Sequence, residues 1–167
     1  MGQITAIRQL LQAAFPPGDD AFTEDDWEHS LGGIHFVGDL DGRIVAHASV
    51  VEREIRIGDR PYRTGYVEAV ATDPSLQGNG HGSRVMTAAT EYIRREFELG
   101  ALGTGAHHFY ERLGWRTWRG PSFVRTPAGP VATPDDDGYI LVLETPATGA
   151  IDLEAPIGCE WRPGDAW

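Results

Sequence analysis

Apolar residues recur at helical spacing near the start of the chain. In "ITAIRQLLQAAF" Ile4, Ile7, Leu11 and Ala14 share one face, with Leu10 beside them, and "PPG" at 16–18 ends the segment. A second, shorter helix is expected at "TEDDWEH", where Thr23 followed three residues later by Asp26 has the form of a capping box, and Gly32-Gly33 stops it. The period then changes to two. "IHFVGDL" and "RIVAHASVVERE" flank Asp41-Gly42, a hairpin signal, and Ile44, Ala46, Ala48 and Val50 alternate with Val45, His47, Ser49 and Val51. A Gly58-Asp59 turn leads into "RPYRTGYVEAVATD", the third strand of an antiparallel meander.

Past "QGNGHGS" the pattern returns to 3.6. Val85, Ala88, Ala89 and Tyr92 predict a buried stripe on a helix reaching about Glu98. "GALGTG" reads as a short apolar strand, and "AHHFYERLGW" as a helix closed by Gly114 in a left-handed cap. "WRTW", a Pro/Gly-punctuated loop carrying "PDDDG", and the strand "YILVLE" follow, and the tail 145–167 reads as irregular. No repeat or linker divides this order of elements, so it predicts one mixed α/β domain spanning 1–167.

Composition narrows the partners. The 167 residues are 41% hydrophobic and 23% charged, as in an ordinary globular domain with one core. Lys+Arg number 14 against 25 Asp+Glu, a net charge of −11, which argues against nucleic acid or an anionic membrane as partner. It suits a cationic ligand, or simple solubility. No apolar run approaches the roughly 20 residues that span a bilayer. The beginning "MGQITAIRQL" lacks a signal-type apolar core, and Ala6 stands where a myristoylation signal needs Ser or Thr. Cys159 is the only cysteine, which excludes an internal disulfide and a cysteine metal cluster. The six histidines offer no ligand spacing beyond "HH" at 107–108, so no metal is expected, and His107 and His108 read as helix-surface residues. The expected compartment is the cytoplasm.

The stretch Gln77-Gly78-Asn79-Gly80-His81-Gly82-Ser83 places glycine at every second position between a strand and a helix. Such a loop is either a flexible turn or an anion cradle. The first N–H groups of a helix have no intrahelical partners, the dipole leaves that end partly positive, and missing β-carbons let a phosphate approach. The loop lacks the lysine of a nucleoside triphosphate loop. Its strand belongs to a meander, which argues against a dinucleotide site.

Gln77, Gly80 and Gly82 fit the Gln/Arg-x-x-Gly-x-Gly/Ala pattern, and the loop resembles the acyl-coenzyme A pyrophosphate loop of the GCN5-related N-acetyltransferase (GNAT) superfamily. "FYERLGW" resembles that superfamily's late helix. Over nearly the whole chain from about Ile4, "FTEDDWEHSLGG", "GYVEAVAT", "FYERLGW", "TPDDDG" and "CEWRPGDAW" are similar in order and spacing to the aminoglycoside 2'-N-acetyltransferases. The resemblance implies the GNAT fold, a mixed, mostly antiparallel central sheet flanked by helices. It also implies acetyl-coenzyme A as co-substrate, a polycationic aminoglycoside as acceptor, a resistance activity and a homodimer.

The resemblance further implies roles. The backbone of Val70 and Thr72 would lie along the pantetheine arm, with Gln77, Gly78, Asn79, Gly80, His81, Gly82 and Ser83 under the pyrophosphate. Glu68, an acid inside "YVEAVA", would take the ammonium proton through one water; a solvent-facing strand glutamate is the alternative reading of that residue. The Val70 N–H would polarise the thioester carbonyl. Tyr110 would protonate the departing thiolate, since a phenol with pKa near ~10 keeps its proton at neutral pH; ordinary aromatic packing is the alternative. Asp26, Glu68, Ala69, Asp136, Asp165 and Trp167, with a carboxylate at the last, would bind the sugar, while Asp135 and Asp137 read as surface charges.

Two departures touch the expected sugar rim: "GTG" at 103–105 where the family has a serine run, and Ala21 between Asp20 and Phe22. Two other readings remain open at this level: an N-acetyltransferase for another polyamine or amino sugar, and an acyl-coenzyme A binding module without chemistry.

Overall fold

The structure, a computed structural model, describes residues 2–167. The chain forms two compact units, one from the segment through Val51 with Val67–Ala89, the other from Glu52–Tyr66 with Thr90–Trp167. Two long strands, β2 (Arg43–Ile57) and β3 (Arg60–Thr72), and the helix α3 (His81–Glu96) contribute to both.

In the first unit α1 (Gln3–Ala14) buries Ile7, Leu10 and Leu11. These join Trp27 and Ala71 in a cluster against which Ala14, Phe15, Phe22, Ile44 and Ala69 pack. Ile4, expected on the same face, is 52% exposed, because it lies in the first turn and outside that cluster. The expected capping box starts α2 (Glu24–Ser30): Asp26 N–H donates to Thr23 Oγ1 at 3.2 Å and Thr23 N–H to Asp26 Oδ2 at 2.8 Å. Strand β1 (Ile34–Leu40) pairs antiparallel with β2 from Ile34↔Val50 to Leu40↔Arg43, around a turn with Asp41 and Gly42 both at positive φ. Val45 to Val51 are all buried. Both sides of β2 are therefore covered, and the period-two alternation read from the sequence does not mark one wet face.

Helix α3 begins four residues before the apolar run, at His81. Its buried positions are Val85, Met86, Ala89, Thr90 and Ile93, whereas Ala88 is exposed and Tyr92 only half-buried. The stripe is centred on Met86, Ala89 and Ile93, at spacings of three and four. It is thus rotated from the expected one, because Met86 rather than Ala88 completes the face.

The second unit is a sheet in the order β5-β8-β4-β3-β2-β9-β6-β7. Here β4 is Leu99–Gly103, β5 Arg116–Thr117, β6 Ser122–Thr126, β7 Gly129–Ala132, β8 Ile140–Glu144 and β9 Ile157–Glu160. The β3–β4 and β6–β9 ladders are parallel; β4–β8, β5–β8, β6–β7 and β2–β9 are antiparallel. The mixed, mostly antiparallel sheet matches the expectation. Two elements do not. The Pro/Gly-punctuated loop is the β6–β7 hairpin, and the irregular tail contains β9. All three strands are short and gain their order from pairing rather than from local pattern.

Helix α4 (His107–Glu111) is shorter than expected, and Gly114 has the anticipated left-handed φ of +96°. Trp115 and Trp118 are fully buried, and their indole N–H groups donate to Thr90 Oγ1 at 3.0 Å and to the Ala155 carbonyl at 2.9 Å. Among the described residues no helix is long and apolar enough to cross a membrane. Among the described residues no three His, Cys, Asp or Glu gather into a set suited to a metal ion.

Candidate active site

In the first unit β3 runs through Ala69, one of two non-glycine residues with positive φ among the described residues. Its φ of +52° is a left-handed value that costs a non-glycine residue about 1–2 kcal/mol. Glu68 and Val70, its neighbours, are half-buried, as is Thr72 two residues on. The Ala69 carbonyl accepts a 2.7 Å bond from Nδ1 of the fully buried His47. His47 Nε2 lies 2.9 Å from Nδ1 of His35. Burial pushes the His47 pKa down to about 4, so the ring is neutral at physiological pH. A carbonyl only accepts, hence His47 carries its proton on Nδ1 and His35 donates to Nε2.

After β3, Asp73 accepts from the Ser75 N–H at 2.9 Å and starts the short 3-10 turn Pro74–Leu76. The glycine loop follows. Gly78 and Gly80 have φ of +80° and +81°, which explains glycine at these two positions, and a β-carbon on either would meet nothing within 4 Å. Asn79 donates from Nδ2 to the Leu76 carbonyl at 3.0 Å, bracing the loop from within.

The first helical bond of α3 runs from Arg84 N–H to the Gly80 carbonyl at 3.1 Å. The amides of His81, Gly82 and Ser83 therefore stand ahead of the helical ladder at the positive end of a 16-residue helix. Open space above the glycines and these amides fit a diphosphate. The first unit thus brings Glu68, Ala69, Val70 and Thr72 onto one strand end, followed by Gln77 to Ser83. It also contains Asp26, whose Oδ2 is engaged in the α2 cap.

The second unit holds the other predicted residues. Tyr110 on α4 is 6% exposed, with Phe109 edge-on at 4.8 Å and Trp115 at 6.4 Å. Burial pushes its pKa up to about 12, so the phenol keeps its proton across the physiological range. Asp136 ends the 3-10 turn Pro134–Asp136 and has its pKa raised, first by burial and then by the negative charge of Asp165. Two carboxylates far apart in sequence are thereby within electrostatic range of each other.

The Trp167 carbonyl carbon would lie 3.3 Å from a β-carbon on Gly103, so a glycine in "GTG" leaves room for residue 167. Arg53 fastens this segment. Its Nη1 donates to the Ala166 carbonyl at 2.7 Å, Nε to Glu160 Oε1 at 2.6 Å and Nη2 to the Glu160 carbonyl at 3.1 Å.

Asp137, read as a surface charge, is exposed as expected and also accepts at Oδ1 from the N–H and hydroxyl of the buried Ser122, both at 2.8 Å, and so shapes the acidic loop. His107 is half-buried with Nδ1 2.9 Å from Thr117 Oγ1, while His108 is exposed as expected.

The sequence model of the acetyltransferase (GNAT) family matches residues 4–115, two thirds of the chain. The chain belongs to the GNAT acetyltransferase family. It is 42% identical, over 96% of its length and 83% of the relative's, to a curated aminoglycoside 2'-N-acetyltransferase of Mycolicibacterium fortuitum. Among solved structures, a GNAT family acetyltransferase from Brucella melitensis in complex with acetyl-CoA superposes with a TM-score of 0.62. It is 18% identical, and the match covers 92% of this chain and 87% of that one. A GCN5-related N-acetyltransferase from Kribbella flavida gives 0.61 at 19% identity, with 71% of this chain covering 31% of that longer one. These likenesses are of fold.

Sequence reasoning about this acetyltransferase passed over His47, His35 and Arg53. The signals were a histidine among small apolar residues in "AHASVV" and an arginine interrupting "VVEREIRI". Each is a polar group in a strand that the fold buries, and buried polar groups need partners.

Proposed function

We propose that this GNAT enzyme transfers the acetyl group of acetyl-coenzyme A to the 2'-amine of aminoglycosides, a resistance activity. The observation that carries the proposal is the 42% identity over 96% of the chain to a relative bearing that activity in its name. The glycine loop and the free amides opening α3 support the acyl-donor half. The electrostatic nearness of Asp136 and Asp165 supports a polycationic acceptor.

In the proposed reaction Gln77 to Ser83 hold the diphosphate and the backbone of Val70 and Thr72 lines the pantetheine arm. Glu68 removes the ammonium proton through one water. The neutral nitrogen attacks the thioester carbon, a C–N bond forms, and the Val70 N–H carries the developing oxyanion. Collapse breaks the C–S bond, the Tyr110 phenol gives its proton to the thiolate, and the second proton, shed by the nitrogen as the amide forms, returns through water to the Tyr110 oxygen. Asp26, Ala69, Asp136, Asp165 and Trp167 bind the sugar. Holding two reactants in attack geometry supplies most of the acceleration, with orientation worth about 7–11 kcal/mol. The same reading makes the protein a cytoplasmic homodimer without nucleic-acid or membrane partners.

The decisive test is thiol release from acetyl-coenzyme A with aminoglycosides that differ only at position 2'. Turnover with the 2'-amine and none with the 2'-hydroxyl supports the proposal. Equal turnover with both, or turnover with simple polyamines alone, replaces it with an acetyltransferase of other amines. Binding without turnover leaves an acyl-coenzyme A module.

A further inference from the structure

The strained residue of β3 and the buried histidine of β2 are connected by a single hydrogen bond, and its geometry has a directional consequence. No peptide bond in the described chain is cis. In a planar trans peptide the C=O and the following N–H point in opposite directions. The Ala69 carbonyl points to His47 Nδ1 at 2.7 Å. The N–H of Val70, on the other side of that same peptide unit, therefore points away from His47.

We propose that His47 is a positioning residue for acyl transfer: by holding the Ala69 carbonyl it fixes the 69–70 peptide so that the Val70 N–H faces the reacting carbonyl, and His35 fixes the tautomer that makes this possible. The inference rests on the reading of Val70 as the oxyanion donor.

The arrangement is more specific than the satisfaction of a buried ring. A fully buried imidazole needs partners for both nitrogens, and any carbonyl in reach would serve. The acceptor here belongs to a left-handed alanine, a conformation that persists only where its surroundings hold it. The second nitrogen accepts from His35 Nδ1 at 2.9 Å, which keeps the proton of His47 on the side of Ala69. Were the tautomer reversed, His47 Nδ1 would be a lone pair facing the Ala69 oxygen, two acceptors at 2.7 Å. The peptide would then rotate, and with it the Val70 N–H.

The side-chain nitrogen of asparagine occupies the place of histidine Nδ1, so His47→Asn retains the donor, whereas His47→Phe fills the site without one. Each variant is checked for folding by thermal unfolding. Then kcat and both KM values are measured, together with the infrared stretch of ¹³C-carbonyl acetyl-coenzyme A bound in the absence of amine. Losing an oxyanion donor outright costs about 10²–10³ in kcat, so misaiming one is expected to cost His47→Phe roughly 10- to 100-fold, with KM values within about twofold. Its bound carbonyl stretch is expected to move toward that of the free thioester. His47→Asn is expected to restore most of both. His35→Ala, at a half-buried site that tolerates truncation, is expected to lose about threefold or more in kcat by the same route.

Wild-type kcat and carbonyl frequency in His47→Phe, or equal impairment in His47→Asn and His47→Phe, would overturn the inference. If His47→Phe does not fold, wild-type kcat in His35→Ala does so. Should the wild-type protein acetylate no amine, the proposed function fails, and the carbonyl frequency in the variants still decides the role of His47.

Discussion

Arg53 Nη1 donates to the carbonyl oxygen of Ala166 at 2.7 Å, so an arginine of β2 whose side chain is 4% exposed fixes the segment that carries Trp167. Arg53→Met removes that anchor and leaves Glu160, 42% exposed, with Arg125 Nη2 at 3.7 Å as its remaining cation. The expected loss of stability is about 2 kcal/mol, below the 3–5 of a fully buried pair because Glu160 keeps part of its hydration. KM for the aminoglycoside is expected to rise about tenfold while KM for acetyl-coenzyme A holds, one lost contact of roughly 1.4 kcal/mol. Steady-state kinetics with each substrate varied decides it, and a constant aminoglycoside KM would remove residue 167 from the substrate site.

Gly80 has open space where a β-carbon would sit, so Gly80→Ala tests backbone conformation alone. At φ +81° alanine costs about 1–2 kcal/mol. If the loop relaxes to escape that strain its amides leave the diphosphate, and KM for acetyl-coenzyme A is expected to rise several-fold with kcat little changed. Calorimetric titration with coenzyme A checks the same loss, and unaltered affinity would show that the loop does not hold the diphosphate.

Glu68→Gln keeps the shape of the side chain and removes its basicity. Near neutral pH kcat is expected to fall by about 10²-fold, the lower end for a general base, while coenzyme affinity stays constant. Activity recovering as pH rises and free amine accumulates would be the signature. Flat, wild-type kinetics would return Glu68 to the role of an ordinary strand residue.

Tyr110 carries its proton up to a pKa of about 12. Its ionisation therefore cannot produce an alkaline limb in the rate profile below about pH 11. Tyr110→Phe is expected to lower kcat by about 10²-fold at every pH from 7 to 10, as for a lost general acid. A loss confined to high pH would point to another donor.

Folded His47 titrates at about 4, and the unfolded ring at about 6.5. Between these values the unfolded chain holds a proton that the fold refuses. Stability is then complete above pH 6.5 and declines as pH falls to 4, by up to about 3 kcal/mol. The lowered pKa of His35 acts in the same direction. Urea unfolding at pH 7.5 and 4.5 should show the decline in the wild type and a smaller one in His47→Asn. Parallel slopes would place the acid sensitivity elsewhere.

The meander, the capping box at Thr23 and the strand–loop–helix step at Gln77 were legible in the sequence because each depends on neighbouring residues. The positive φ of Ala69 was not, since alanine carries no local preference for it and the bond to His47 spans 22 residues. Ala88 was misread for a related reason. On a helix of small apolar residues the buried face is chosen by what packs on it, and Met86 won that contest. Asp136 and Asp165 were assigned to the acceptor site from a resemblance, while their shared field emerges only where the fold brings them within range of each other.

Strand β9 lies between β2 and β6, antiparallel to one at Arg56 and Ile57 and parallel to the other from Ser122 to Arg125. Until Ile157–Glu160 has been synthesised, both neighbours keep bare edges with unpaired amides and carbonyls. The growing polypeptide therefore carries one sticky ribbon once β2 is made and a second once β6 is made, and translation broken off between β6 and residue 157 releases a product prone to clump.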